Sequence, residues 1–338
     1  MRVTKSMIDP QLRRPGAVLQ RLLGTQRSVE ALRKPEPKLA AQLAPLLTNR
    51  SGVSEVAAHR PDGSELRMLV FRPAHRRPDA PALLWIHGGG YAGGTPDFEQ
   101  GSVKALMDLT GCVVLSPDYR LSRDAPYPAA AEDCYTALLW LRDNATALGA
   151  ADDQIVVAGA SAGGGLTAAV TLMARDRGEV QIAFQCPLYP MIDDRPTGSS
   201  TDNDAPVWDQ VTNQNAWRIY LGPLDGDDVP SYAAPARETS LAGLPPTITF
   251  VGDIEAFRDE TVEYVEGLRA AKVPTEFLIL PGAWHGFDRL VPWARVSKQA
   301  QRWFQSRFVE FTARYRAAQT PTPTPGPRSR RPAAREPR

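Results

Sequence analysis

Ile155-Val156-Val157-Ala158-Gly159-Ala160-Ser161-Ala162-Gly163-Gly164-Gly165-Leu166 is the stretch on which the fold of this chain turns. The opening apolar run is short and wholly hydrophobic, as a strand covered on both faces must be. A helical stretch from Leu166 to Arg177 follows it. Between them Gly159-Ala160-Ser161-Ala162-Gly163 is a G-x-S-x-G pentapeptide in the strand-to-helix context that gives the pattern meaning. A turn that sharp forces its central residue into a strained backbone conformation and lifts the hydroxyl above the sheet. Side chains at the flanking positions would collide where strand and helix cross, so glycine is needed there. Ser161 is therefore the candidate nucleophile.

Outward from this turn the same alternation repeats. Ala82 to Ile86 and Val113 to Leu115 read as buried strands, and Ser102 to Leu109 and Ala129 to Arg142 as helices. Upstream, Val53 to His59 and Glu65 to Phe71 flank the turn Pro61-Asp62-Gly63 and read as a hairpin. Downstream come the strand Thr247 to Val251, a helix from Arg258 to Ala271, the strand Thr275 to Leu280 and a helix from Val296 to about Ala317. Strands and helices in this order imply an α/β fold, a mostly parallel sheet with helices on both faces. The pattern breaks from residue 195 to 242, rich in Pro, Gly, Asp, Thr and Trp, with one helix-like piece at Thr212 to Tyr220. An insertion of that length reads as a lid or binding loop, in which Trp208, Trp217 and Tyr220 either line an apolar pocket or pack structurally.

Residues 1–50 carry an apolar set, Leu19, Leu22, Leu23, Leu39, Leu43 and Leu46, at helical spacings interrupted by Pro35 and Pro37. They read as one or two amphipathic helices. Residues 51–318 form the expected catalytic domain, and 319–338, Thr-Pro repeats followed by an Arg-rich end, are expected to be disordered. The composition, 43% hydrophobic and 23% charged with net charge +1 over 338 residues, suits one globular domain with appendages. It leaves no field to gather nucleic acid or an anionic membrane. There is no apolar run of transmembrane length, so stable membrane insertion is not expected. Cys112, Cys134 and Cys186 are scattered and match no zinc spacing, so no metal is expected. Free thiols without an apolar leader near Met1 point to the cytoplasm.

His87-Gly88-Gly89-Gly90 follows the strand ending at Ile86. Successive glycines leave backbone N–H groups unshielded and able to converge on one oxyanion, and the amide of Ala162, next to the nucleophile at a helix start, completes the set. Neither glycine cluster fits a phosphate cradle. His87 is expected to orient its loop, and Tyr91 and Trp85 to serve as core or pocket wall. Where such an elbow is used, acid and histidine follow the serine in that order. Of four histidines His285 alone follows Ser161, in Pro281-Gly282-Ala283-Trp284-His285-Gly286-Phe287 just past a strand. The acid should lie beyond Val251, and Asp259 and Glu260 suit the first turn of the next helix. Asp253 and Glu255 both remain.

These residues resemble the hormone-sensitive-lipase-like (bacterial HSL) esterases of the α/β-hydrolase fold. The resemblance runs through His87 to Gly90, Asp118-Tyr119-Arg120-Leu121, Pro126-Tyr127-Pro128-Ala129-Ala130 with Glu132-Asp133, the elbow to Gly164, and Arg258-Asp259-Glu260 before His285-Gly286-Phe287. It covers roughly residues 55 to 315 and implies a carboxylesterase for short- to medium-chain acyl esters, without a cofactor, under a cap built from the N-terminus and the insertion. The family pattern D-P-[LF]-x-D-E, set on Arg258-Asp259-Glu260, meets Glu255-Ala256-Phe257. Glu255 stands where aspartate is expected, and the resemblance selects it as the acid. It also places the oxyanion donors at Gly89, Gly90 and Ala162. The expected partner is a small-molecule ester, with a homodimer left open. Competing readings are an amidase, lactonase or deacetylase using the same groups, or a non-catalytic small-molecule binder on this scaffold.

Overall fold

The computed structural model describes residues 1–23, 30, 32–33, 51–75, 77 and 79–319. Leu39, Leu43, Leu46 and both proline interruptions lie outside these, as does the Thr-Pro and Arg-rich tail from 320 onward.

Eight strands make one sheet: β1 (Val53–His59), β2 (Glu65–Phe71), β3 (Ala82–Ile86), β4 (Val113–Pro117), β5 (Ile155–Ala160), β6 (Phe184–Leu188), β7 (Thr247–Gly252) and β8 (Thr275–Leu280). Their order across the sheet is β1-β2-β4-β3-β5-β6-β7-β8. β1 and β2 form the expected hairpin, and β2 also pairs antiparallel with β4; every other pairing is parallel. The helices are α1 (Pro10–Leu23), α2 (Gln100–Thr110), α3 (Ala129–Leu148), α4 (Ala162–Arg177), α5 (Gln210–Leu221), α6 (Arg258–Ala270), α7 (Phe287–Leu290) and α8 (Arg295–Arg314).

The sheet is buried from both sides, and the sequence period of two shows how. Ala82, Leu84 and Ile86 of β3 and Ile155 and Val157 of β5 join one core with Cys134 and Leu138 of α3 and Leu166 and Val170 of α4. Their neighbours Leu83, Trp85, Val156 and Ala158 enter a second core with Leu106 of α2 and Phe304 and Phe308 of α8. Alternation that serves two cores leaves no polar position, which is why these strands read as continuous apolar runs. Truncating such a residue, Leu84→Ala for example, would cost about 2–5 kcal/mol.

The order of strands fixes where a site can form. The chain leaves β3 toward β4 and leaves β5 toward β6, on the other side. Between the carboxyl ends of β3 and β5 no connection crosses, and a crevice opens there. His87 to Gly90 and Ser161 follow those two ends.

Three sequence expectations need correction. β6 (Phe184–Leu188) is not anticipated, because its Phe-Gln-Cys-Pro-Leu run mixes a glutamine and a proline into a buried strand; Gln185 is accommodated by bonding Thr247 Oγ1 at 3.1 Å. α4 begins at Ala162, not Leu166, because three glycines that lower helix propensity are held by close packing. The insertion carries two short 3₁₀ turns, Gly226–Asp228 and Pro235–Arg237, besides α5. The short helix α7 and a 3₁₀ turn at Pro96–Phe98 are likewise not anticipated, and other differences lie at element ends: α3 runs on to Leu148 and α8 stops at Arg314.

Candidate active site

Ser161 has φ 61° and ψ −125°, a backbone conformation that an L-residue adopts only when its surroundings impose it. The imposition is visible on three sides. The Ser161 amide donates to Leu188 O at 3.0 Å, and its carbonyl accepts from Gly165 N at 2.9 Å and Met191 N at 3.1 Å. A Cβ at Gly163 would collide with the backbone of Ile86 and His87, and one at Gly159 would stand 2.7 Å from Ile86 O. β3, β5 and α4 thus meet at a distance that only glycine allows, and the strain at Ser161 is held by the fold.

His285 lies on the loop between β8 and α7. Its Nε2 is 2.8 Å from Ser161 Oγ, and its Nδ1 is 2.8 Å from Glu255 Oε2. The imidazole is boxed by aromatic edges, with ring centroids at 4.9 Å from Phe257, 5.3 Å from Tyr189 and 5.9 Å from Trp208. Ser161, Glu255 and His285 are all buried.

The two carboxylates left open by chain order have separate partners. Glu255 also accepts from Gly252 N at 3.2 Å, and it is wholly out of solvent. Burial pushes its carboxyl above the ordinary value, opposed by the bonds from His285 and Gly252. Asp253 instead accepts from Gly282 N at 2.6 Å, tying the loop that carries His285 to the end of β7. Its carboxyl is also raised, chiefly by burial. Glu260 does begin α6, but it is buried, and its Oε1 accepts from Ile192 N at 2.7 Å. Burial raises that carboxyl well above the ordinary range. It anchors the strand exit behind Ser161, a role that its charge at a helix start does not reveal.

Gly89 (φ 126°) and Gly90 (φ 61°) both use left-handed backbone space, and each also lacks room for a Cβ. At Gly90 that atom would stand 2.5 Å from the Trp208 ring. The Gly89 carbonyl is turned inward, accepting from Gly93 N at 2.9 Å and Ala92 N at 3.2 Å. Among the described residues the amides of Gly89, Gly90 and Ala162 meet no protein acceptor. His87 stacks on Tyr119 at 4.1 Å, with Nδ1 2.9 Å from Gly88 O, and the Tyr119 hydroxyl donates to His87 O at 3.0 Å. That places His87 under the loop.

A cavity of about 490 Å³ joins these groups, walled by Gly88 to Gly90, Ser161, Tyr189, Trp208 and His285 among others. Of the three aromatic residues singled out in the insertion, Trp208 lines it. Trp217 and Tyr220 do not; they pack on buried Tyr91, with Tyr220 stacked at 3.8 Å. Sequence reasoning passed over Tyr189, Glu99 and Arg289 in this wall. Neither Glu99, in the polar run Asp97 to Ser102, nor Arg289, beside Asp288, carries a sequence signal that marks it. Among the described residues no cluster of His, Cys, Asp and Glu could hold a metal ion.

A family model described as alpha/beta hydrolase fold matches residues 83–289. The chain is 37% identical over 211 residues to the esterase LipI of Mycobacterium tuberculosis, covering 62% of this chain and 66% of that one, so it spans about two thirds of that relative. It is 34% identical over 229 residues to the carboxylesterase NlhH of the same organism, covering 66% and 72%. Among solved structures, a bacterial heroin esterase superposes with a TM-score of 0.81 at 34% identity, over 92% of this chain and 99% of that one. The esterase LipW of Mycobacterium marinum gives 0.75 at 32% identity, over 91% and 97%. On the matched segment and these likenesses, the chain belongs to the α/β-hydrolase fold family, in its hormone-sensitive-lipase-like branch, and is a hydrolytic enzyme.

Proposed function

We propose that the protein is a serine carboxylesterase that cleaves short- to medium-chain acyl esters through an acyl-enzyme. The observation that carries this reading is the continuous bonded line Glu255–His285–Ser161, 2.8 Å at each step, ending beside unpartnered backbone amides. Glu255 fixes the imidazole with Nδ1 toward itself, leaving Nε2 to take the Ser161 proton. The Ser161 oxygen attacks the ester carbonyl, forming a C–O bond while the carbonyl π electrons move onto oxygen. The amides of Gly89, Gly90 and Ala162 hold that charge, and His285 returns the proton to the departing alcohol. Water, deprotonated by the same imidazole, then releases the acid and restores Ser161.

Residues 1–23 of the N-terminal segment and the 195–242 insertion act as a cap over this centre. What supports that is the seating of Trp208 on Gly90 and of Leu12 beneath Trp284, next to His285. The three buried free thiols, Cys112, Cys134 and Cys186, favour a reducing compartment, the cytoplasm. No described helix is long and apolar enough to cross a membrane. The test is hydrolysis of p-nitrophenyl butyrate by the purified protein and by Ser161→Ala. Loss of roughly 10⁴-fold or more in kcat is expected; undiminished turnover in the variant would refute the reading.

A further inference from the structure

Behind the ester pocket lies a second cavity, of about 430 Å³, for which the proposed chemistry has no use. Ala105 of α2, Phe304 of α8, and Trp85, Leu188 and Phe250 from the sheet give it apolar walls, to which Ser102, Asp288, Gln301 and Gln305 add polar groups. Each cavity alone falls within the range of roughly 300–1,000 Å³ seen for small-molecule sites. The second cavity is a cleft and not a sealed void: exposed Phe98, Gly101 and Pro292 stand among its lining residues, so it also opens to solvent.

The two cavities share Ala160, Tyr189 and Arg289 as walls. Arg289 Nη2 donates to Glu99 Oε1 at 2.8 Å, and Glu99 Oε2 accepts from Trp85 Nε1 at 2.6 Å. Glu99 lines the ester pocket, while Trp85 lines the space behind. The partition therefore consists of the Glu99–Arg289 ion pair and the Tyr189 ring. Burial opposes ionisation of Glu99, yet the Arg289 charge holds its carboxyl below the ordinary value. A buried ion pair contributes little stability over an apolar filling of the same volume. Parting the pair has a cost, but both groups are side chains, so a change of rotamer and not of backbone would join the two spaces.

We propose that this chamber is a second binding compartment of the enzyme, receiving an apolar alkyl or aryl group of the ester when the Glu99–Arg289 pair parts. The proposal rests on Ser161 as an ester-cleaving nucleophile. Short esters occupy the first cavity alone; longer ones extend past the partition. The apolar group belongs either to the acyl chain or to the alcohol, and both give the same contacts.

Ala105→Phe fills the chamber from a half-buried helix position away from Ser161. Two substrate series are compared by kcat/KM: p-nitrophenyl esters from acetate to decanoate, and acetates of alcohols from ethanol to decanol. In Ala105→Phe the acetate of p-nitrophenol should change by less than about twofold, while the long member of at least one series falls by about tenfold or more. The series that falls identifies which side of the ester enters. Glu99→Gln should move the long-to-short ratio the other way. An unchanged ratio in Ala105→Phe, or a wild-type enzyme that rejects the long members of both series, overturns the proposal. If circular dichroism shows Ala105→Phe unfolded, Ser102→Phe carries the same expectation. Acetate turnover that survives Ser161→Ala would sink the catalytic reading instead, so the two failures are distinguishable.

Discussion

Glu255 spends both carboxylate oxygens inside the protein, one on the His285 ring and one on the Gly252 amide. Asp253, two residues earlier, is directed to Gly282 N and holds the histidine loop by its backbone. Glu255→Gln would present an amide to Nδ1 and favour the wrong tautomer, so kcat should fall by roughly 10⁴-fold with the fold intact. Asp253→Asn keeps an acceptor for Gly282 and should lose far less; steady-state kinetics of the two variants with p-nitrophenyl butyrate decide between them. The sequence makes Ser161 and His285 legible because each is marked by local chemistry and chain order. Chain order does not separate Asp253 from Glu255, since their difference lies in side-chain direction; the family pattern alone favours Glu255. Glu99 offers a pH test at the same scale. Its carboxyl is penalised by burial but held below the ordinary value mainly by Arg289, a lowered folded pKa. Its contribution to stability is therefore present above the unfolded value and lost as pH falls through the folded one. Urea midpoints of the wild type should drop more steeply between pH 6 and pH 3, as rough bounds, than those of Glu99→Gln.

α5 illustrates what an element adds that its residues do not announce. Asp209 caps it, accepting from Thr212 N at 2.8 Å, and Gly222 closes it after Leu221. Its buried face, Trp217 and Tyr220, lies on Tyr91, whose hydroxyl donates to Met191 O at 2.6 Å. Tyr91 immediately follows the Gly88 to Gly90 loop, and Met191 N bonds the Ser161 carbonyl, so this stack links the insertion to both halves of the crevice. Tyr220→Ala should cost about 3–5 kcal/mol from the space left in the stack. It should also raise KM for butyrate esters, because Trp208 sits just ahead of α5; chemical denaturation and kinetics on one preparation check both. The apolar strands of the sheet are legible because burial on both faces leaves no alternation to misread. β6 is not, because its glutamine finds a partner for its Nε2, Thr247, only once β7 is beside it. Within the insertion the sequence marks the aromatics, but only packing shows that Trp208 faces the cavity while its two companions face Tyr91.

At the scale of the whole molecule, the two ends of the described chain pack on one core but are tied to opposite ends of the parallel strands. Gln154 Nε2 donates to Thr312 O at 2.7 Å and Tyr315 O at 2.8 Å, fastening the end of α8 beside the start of β5. The first residues run instead to the site. Val3 N donates to Asp204 Oδ1 at 2.6 Å in the insertion, and Asp9 N donates to Gly282 O at 2.9 Å at the base of the histidine loop. Leu12 is fully buried, and its carbonyl lies 3.4 Å from Trp284 Nε1, one residue before His285. Gly16 faces both Pro206 and the Trp284 ring, each 3.0 Å from where a Cβ would stand. Residues 1–23 thus brace the imidazole loop against the insertion without touching Ser161. Removing them exposes Leu12's site and Trp284, each a loss of about 1.5–3 kcal/mol of burial, and releases the carbonyl of Gly282. Because His285 must stay within hydrogen-bond reach of Ser161, a shift of about 1 Å costs on the order of 10²-fold in rate. A chain lacking residues 1–23 should therefore keep its central sheet by circular dichroism yet lose kcat far more than it loses midpoint stability. Equal and proportionate losses would mean that the segment only stabilises the fold, whereas retained kcat would show that the histidine loop holds its position through Asp253 and the cavity wall alone.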